Sequence, residues 1–178
     1  MVTLDRQSVP LFSNNYRRAK KLYLEVFPPE ERLPFFFLML KTHQSIASAY
    51  AYYHEQKFVG FAYLFQSKDY VFVVYLGVNP KHHSQGFGSQ ILSDLKRVAA
   101  GRQIVLSIEP MDPQAENYQQ RLKRLAFYER NGFQLTQDYY QENQERFQFM
   151  VSDPAINWKA FEKLLQKAFT GLATITFL

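Results

Sequence analysis

Three apolar runs lie close together at roughly 45–55, 57–66 and 70–78. Gln56-Lys57 separates the first two, a short polar break that predicts an antiparallel hairpin, and Gln66-Ser67-Lys68-Asp69 predicts a second turn. The third run, Tyr70-Val71-Phe72-Val73-Val74-Tyr75-Leu76, is β-branched and aromatic on both faces, the mark of a central strand. A helix is predicted after Ser84, with Ile91, Leu92, Leu95, Val98 and Ala99 on one side and Ala100-Gly101 closing it. Ile104-Val105-Leu106-Ser107-Ile108 reads as another buried strand. Strand, helix and strand at this spacing predict a parallel crossover of right-handed type.

The flanks follow the same logic. Residues 3–7 predict a short first strand. Asn14 or Asn15 is placed to cap a helix running to about Phe27, with Ala19, Leu22, Tyr23 and Val26 on one face. Pro28-Pro29 ends it, and Pro29-Glu30-Glu31-Arg32-Leu33-Pro34 reads as a turn with a helical fragment. Phe35 to Leu40 is apolar all round, so a strand and a buried helix fit equally by period. The flanking prolines favour a short helix packed over a cleft. Beyond Glu109-Pro110-Met111-Asp112-Pro113, a helix is predicted from Asn117 through Asn131, ended by Gly132. Strands follow near 133–141 and 145–152, joined by Glu142-Asn143-Gln144 as an antiparallel hairpin. From Asn157 a last helix aligns Trp158, Phe161, Leu164, Leu165, Ala168 and Phe169. The tail from Leu172 to Leu178 is β-prone, and either adds a strand within its own chain or reaches a second copy, which makes a homodimer one expectation.

Composition narrows the class. A length of 178 residues at 47% hydrophobic suits one domain spanning 1–178 with a sizeable core, and excludes a disordered chain. Seventeen Phe and twelve Tyr are enough to fill a core and to line a pocket or interface as well. The absence of cysteine excludes disulfide scaffolds, thiolate zinc sites and cysteine nucleophiles, and fits a reducing compartment. Met1-Val2-Thr3-Leu4-Asp5-Arg6 has no apolar run of a signal peptide, and no stretch is long and apolar enough to cross a bilayer. The expectation is a cytoplasmic protein without membrane contact. Net charge is +5, gathered in Arg17-Arg18-Ala19-Lys20-Lys21 and Arg121-Leu122-Lys123-Arg124. Such clusters suit a polyanion, a small phosphorylated cofactor, or merely solvated helix faces.

The chemistry gathers at His83-Ser84-Gln85-Gly86-Phe87-Gly88. This polar, glycine-bearing loop follows the central strand, which Pro80 stops, and it opens a helix. Glycines allow close backbone approach, and the amides from Gly86 to Gln90 at a helix start are expected to lack partners and to face an anion. The loop is neither a P-loop, lacking Gly-Lys-Ser/Thr, nor a dinucleotide fingerprint, lacking a third glycine.

Further along stands Ala126-Phe127-Tyr128-Glu129-Arg130-Asn131-Gly132-Phe133. The two segments, in this order, resemble the GNAT superfamily of acetyl-CoA-dependent N-acetyltransferases, over roughly residues 45–152. The resemblance implies a single-domain α/β fold: a central mixed, mostly antiparallel sheet, splayed in the middle and flanked by helices. The strand ending at Val78 would diverge from Ile104–Ile108. Backbone groups at Leu76 and Val78 would pair with the pantetheine arm of acetyl-CoA, and His83, Ser84, Gln85, Gly86, Phe87, Gly88, Ser89 and Gln90 would cradle its pyrophosphate. His83 and Ser84 depart from the family pattern, which keeps the weight on backbone rather than side chains. Tyr128 would stand near the thioester sulfur and protonate the departing thiolate.

Glu109, at the end of the strand Val105–Ile108, is placed to deprotonate an amine, and Ser107 is a weaker candidate on the same argument. Glu30 and Glu31 are candidates to line an amine acceptor site. The expected partner is a small-molecule or peptide amine. One rival is a non-catalytic acyl-CoA-binding or regulatory protein on the same fold. Another is a nucleic-acid binder, disfavoured because no base-reading helix or RNA-binding aromatic motif is evident. His43, His54, His82 and His83 fall at no metal-ligand spacing, so no metal is expected.

Overall fold

The chain folds around β3 (Lys57–Gln66) and β4 (Tyr70–Val78), which lie at the centre of an eight-stranded sheet. The computed structural model describes residues 3–178; Met1 and Val2, the start of the segment read above for a signal peptide, lie outside them. The remaining strands are β1 (Asp5–Ser8), β2 (Ala47–His54), β5 (Gln103–Ile108), β6 (Gln134–Glu142), β7 (Glu145–Val151) and β8 (Ile175–Phe177). Their order is β1-β2-β3-β4-β5-β7-β6-β8, and every neighbouring pair is antiparallel except β4 with β5.

Five helices cover the sheet. On one face lie α1 (Asn14–Val26), α2 (Phe35–Lys41) and α5 (Trp158–Phe169), and on the other α3 (Phe87–Ala99) and α4 (Tyr118–Arg130). The alternation of β3 shows why two layers form. Phe61, Tyr63 and Phe65 point to the first face, and Ala62 and Leu64 to the second. Most buried aromatics lie on the first face, where Phe72, Phe149 and Phe161 meet at centroid distances of 5.5 to 6.3 Å. Each such ring, fully buried, contributes about 1.5–3 kcal/mol from area alone.

Local details differ from the sequence reading in three places. The cap of α1 is Ser13, whose hydroxyl accepts from the Tyr16 amide, while Asn15 instead donates to the Ser8 carbonyl and ties β1 to α1. The β2–β3 turn is Glu55-Gln56, both residues left-handed (φ 47° and 63°), as a tight two-residue hairpin requires. In α2, Phe35, Leu38 and Met39 are buried, but Phe36, Phe37 and Leu40 are exposed. The tail forms β8 against β6 of its own chain, with Tyr140 opposite Phe177, the first of the two placements expected for it.

The break in the sheet that positions the site has a visible origin. In the β3–β4 ladder Tyr63 opposes Tyr75 and Leu64 opposes Val73, leaving Val74 as an extra residue, a β-bulge. Val74 and Tyr75, neighbours in sequence, therefore face the same side. The parallel pairing of β4 with β5 ends at Val73 opposite Leu106, one residue before the bulge. Beyond it β4 continues along β3 to Val78, while β5 continues along β7 to Ile108.

Candidate active site

The diverging ends of β4 and β5 enclose a cleft of about 240 Å³, lined by Val73 to Val78, His83, Ser107, Ile108, Glu109, Arg124, Tyr128, Tyr140, Glu142 and Phe147, and closed by Val26, Phe27 and Glu31. Past Val73 the edge of β4 has no strand partner on the β5 side, so its backbone groups are free to pair with an extended ligand.

One mouth of the cleft meets the loop. Ser84 (φ 63°) and Gly86 (φ 78°) are both left-handed and turn the chain sharply into α3. The consecutive amides from Ser84 to Ser89 find no acceptor among the described residues. The string stops there, because the Gln90 amide donates to the Gly86 carbonyl at 3.2 Å. Gln90 was expected within the cradle; its amide is instead the first bond of the helix, and its buried side-chain oxygen has no partner among the described residues. Phe87 points inward, tilted against His54 and edge-on to His82, and anchors the loop. The His83 ring lines the cleft and Nε2–H donates to the Val78 carbonyl at 3.2 Å, a contact that fixes the tautomer because a carbonyl only accepts. Gln85 and Ser89 are exposed.

The second motif is built to hold Tyr128. Gly132 (φ 85°) ends α4 in a left-handed turn, with the Phe133 amide donating to the Tyr128 carbonyl and the Gly132 amide to the Glu129 carbonyl. This double bond pattern needs glycine at its corner, and it brings Phe133 back against Tyr128, centroids 6.1 Å apart. Phe127 reaches the first motif: a Cβ on Gly88 would come within 3.0 Å of its ring, so only glycine admits this contact without displacement. Burial raises the Tyr128 phenol above its ordinary value, partly countered by Arg124, and its hydroxyl has no protein partner among the described residues.

Glu109 lies in the cleft but is already engaged. It accepts from Asn117 at 2.7 Å and pairs with Arg124, with Arg121 at 3.7 Å. Two other carboxylates in the cleft have no cationic partner within 4 Å among the described residues: Glu31 and Glu142. Burial raises Glu31 to about 7, reinforced by the charge of Glu109 and opposed by Arg124. Burial also raises Glu142 to about 7, opposed by a hydrogen bond from Tyr140 and reinforced by Glu31. Tyr140 links the Ser107 hydroxyl (3.2 Å) to Glu142 (3.4 Å). Glu142 was read only as a turn residue. Its signal was the period of two, which puts it on the same inward face as Tyr140.

The sequence of residues 45–135, over half of the chain, matches the family model described as an acetyltransferase (GNAT) domain. The chain belongs to the GNAT family of acetyltransferases. Among solved structures it is similar to a putative GNAT-family acetyltransferase from Bacteroides thetaiotaomicron, at 25% identity and a TM-score of 0.76, over 93% of this chain and 96% of that one. It shares its fold with an aminoglycoside 6'-N-acetyltransferase complexed with coenzyme A (15% identity, TM-score 0.61, 86% and 99% covered). A GNAT acetyltransferase from Elizabethkingia anophelis with acetyl-CoA bound is similar at 14% identity and a TM-score of 0.59, with 84% and 97% covered. Comparison with curated protein sequences finds no match. No helix among the described residues is long and apolar enough to cross a membrane. Nor do those residues include a group of three or more His, Cys, Asp or Glu able to hold a metal ion.

Proposed function

We propose that the protein transfers the acetyl group of acetyl-CoA to a primary amine by direct attack within a ternary complex, residues 1–178 acting as one acyltransferase domain in the cytoplasm. The observation that carries this reading is the run of unpartnered amides from Ser84 to Ser89 at the mouth of a cleft whose wall, β4, has a free backbone edge. Relatives of the same fold are described with coenzyme A or acetyl-CoA bound. Acetyl-CoA supplies an activated acyl carbon and a thiolate leaving group.

The amides of Ser84, Gln85, Gly86, Phe87, Gly88 and Ser89 hold the pyrophosphate, aided by the positive end of α3. Leu76 and Val78 offer main-chain groups to the arm that follows, and a backbone N–H near Val78 polarises the thioester carbonyl. His83 keeps the loop tied to the strand end through the Val78 carbonyl. Tyr128, held by the α4 cap and without another partner, donates a proton to the departing sulfur. Glu109 has a different part from the one expected of it. Its oxygens are already taken by Asn117 and Arg124, so Glu109 orients Arg124 and α4 beside β5. Holding amine and thioester together supplies much of the acceleration.

The test is a panel of amines with acetyl-CoA, reporting free thiol, beside calorimetric titration of coenzyme A. Thiol release that depends on both amine and enzyme supports the reading. Coenzyme A binding without release from any amine favours an acyl-CoA-binding role instead.

A further inference from the structure

The cleft runs against the charge of the whole chain. The protein carries +5, yet the cleft lining holds three carboxylates, Glu31, Glu109 and Glu142, and one guanidinium, Arg124. Arg124 is spent on Glu109. Glu31 and Glu142 are left facing a common space from opposite walls, the turn after α1 and the end of β6; the charge of Glu31 reaches Glu142, and that of Glu142 reaches Tyr75 beneath the Glu31 turn.

Neither carboxylate is there by accident of a loose loop. Glu31 sits in a 3₁₀ turn, Pro29–Glu31, pinned by the Tyr75 hydroxyl, which donates to the Glu31 carbonyl at 2.8 Å and accepts from the Leu33 amide at 3.1 Å. Tyr23 donates to the Leu33 carbonyl, and Arg32 donates to the carbonyls of Phe27 and Leu24. Glu142 is only 7% exposed and is held from Ser107 through Tyr140. Holding one buried and one half-buried carboxylate without a cationic partner is costly unless a ligand supplies the missing cations. The walls between them, Val26, Phe27 and Phe147, are apolar and suit methylenes. The cleft volume admits an aliphatic arm but no folded polypeptide.

We propose that Glu31 and Glu142 form the acceptor subsite for a short aliphatic amine that carries a second positive charge, Glu142 taking the proton of the attacking nitrogen and Glu31 pairing with the charge that remains. This rests on the acetyltransferase reading above and adds to it the class of acceptor. The proton balance closes. Glu142 removes one proton from the ammonium and later releases it to solvent. The freed nitrogen pair forms the N–C bond while the C–S pair departs on sulfur. Tyr128 protonates the thiolate, and the second nitrogen proton restores Tyr128 through water. A lone carboxylate would serve a monoamine. The second one has a use only if charge stays on the acceptor after the first proton has gone.

The probes are diaminobutane and butylamine, equal in length and different in charge, titrated calorimetrically with and without coenzyme A, then assayed for thiol release. Diaminobutane is expected to bind about tenfold or more tightly than butylamine, the worth of one charged contact. Glu31→Gln is expected to erase that preference. Glu142→Gln is expected to lower kcat for diaminobutane about 100-fold, as loss of a general base does. Equal binding of the two amines by the native protein, or a preference intact in Glu31→Gln, overturns the proposal without any appeal to turnover. If coenzyme A binds but no amine releases thiol, the transferase reading falls, and the two titrations still decide whether the acidic pair selects a dication. If both amines are acetylated equally well, the transferase reading stands and the pair proposal falls.

Discussion

Tyr75→Phe isolates one hydroxyl on which the acceptor end of the cleft depends. The ring is 5% exposed and packs edge-on to Tyr23 and Phe27, each at 4.9 Å, and phenylalanine keeps both contacts. What goes is a bond donated to the Glu31 carbonyl and one accepted from the Leu33 amide. Each is worth about 0.5–1.5 kcal/mol net, and the Leu33 amide, in a residue 3% exposed, is left buried without a partner at about 1–3 kcal/mol. These overlap rather than add, and losing a buried hydroxyl returns part of its desolvation, so the expected destabilisation is about 2 kcal/mol. With a urea slope of about 2 kcal/mol per molar, the midpoint falls by about 1 M. Trp158 is the sole tryptophan and packs, tilted, 5.2 Å from Phe149 at the margin of the core, so its fluorescence reports the transition. Release of the Glu31 turn is also expected to raise the amine KM while coenzyme A affinity stays unchanged. A midpoint shift below about 0.25 M, or roughly 0.5 kcal/mol, would refute the account of how Glu31 is positioned.

Tyr128→Phe is the mirror case: its hydroxyl has no protein partner among the described residues, so stability is expected within about 0.5 kcal/mol of native. Turnover is expected to drop by about 100-fold at unaltered coenzyme A affinity, and unchanged turnover rejects Tyr128 as the acid. Glu142 ties stability to pH. Its carboxyl lies at about 7 when folded against an ordinary 4.5, so between those values the unfolded chain ionises first and the native state loses stability as pH rises. Glu31, Tyr140, Tyr75 and Tyr23 face it and remain in Glu142→Gln. The variant's melting midpoint is expected to gain on the native one from pH 4.5 to about 7 and then run parallel, and a gap independent of pH contradicts the assigned environment. Cutting the chain before Gly171 removes β8, the stack of Phe177 on Phe149 at 5.7 Å and the bond from the Asn143 amide to the Thr174 carbonyl. The shortened chain is expected to melt lower and, by light scattering, to keep the native oligomeric state; a change in that state returns the tail to a role between subunits.

The strands and helices were readable because their apolar patterns are long. The alternation in β3 and the solid run of β4 leave few other arrangements, and the strand–helix–strand spacing implied the parallel β4–β5 pair. The two motifs carried the fold family, since the glycine after α4 and the one in the α3 loop each serve a backbone geometry that composition reveals. What stayed hidden depends on side-chain direction. Ser13, Asn14 and Asn15 are all good caps, and only the path of β1 decides among them. The Val74 bulge leaves no trace because residues on either side are apolar. Glu109 looked free, since nothing in the sequence announces that Arg121 and Arg124 on α4 come to rest over the end of β5. Glu142 looked like part of a turn because the hairpin closes at Asn143, one residue later than its polarity suggested.

The bulge has a genetic consequence. The opening between β4 and β5 is encoded by a count of residues, not by the chemistry of any of them. Loss of the single codon for Val74 would leave each β3–β4 pair intact and every other side chain of the cleft present, yet it would straighten the strand and let it run on beside β5. Substitutions at Val74 change one half-buried patch of the cleft wall, whereas a one-codon deletion closes the opening itself. A library of in-frame deletions across Tyr70–Val78 should therefore show lost activity at Val74 in protein that still folds. A library of point substitutions is expected to show a smaller loss at the same position.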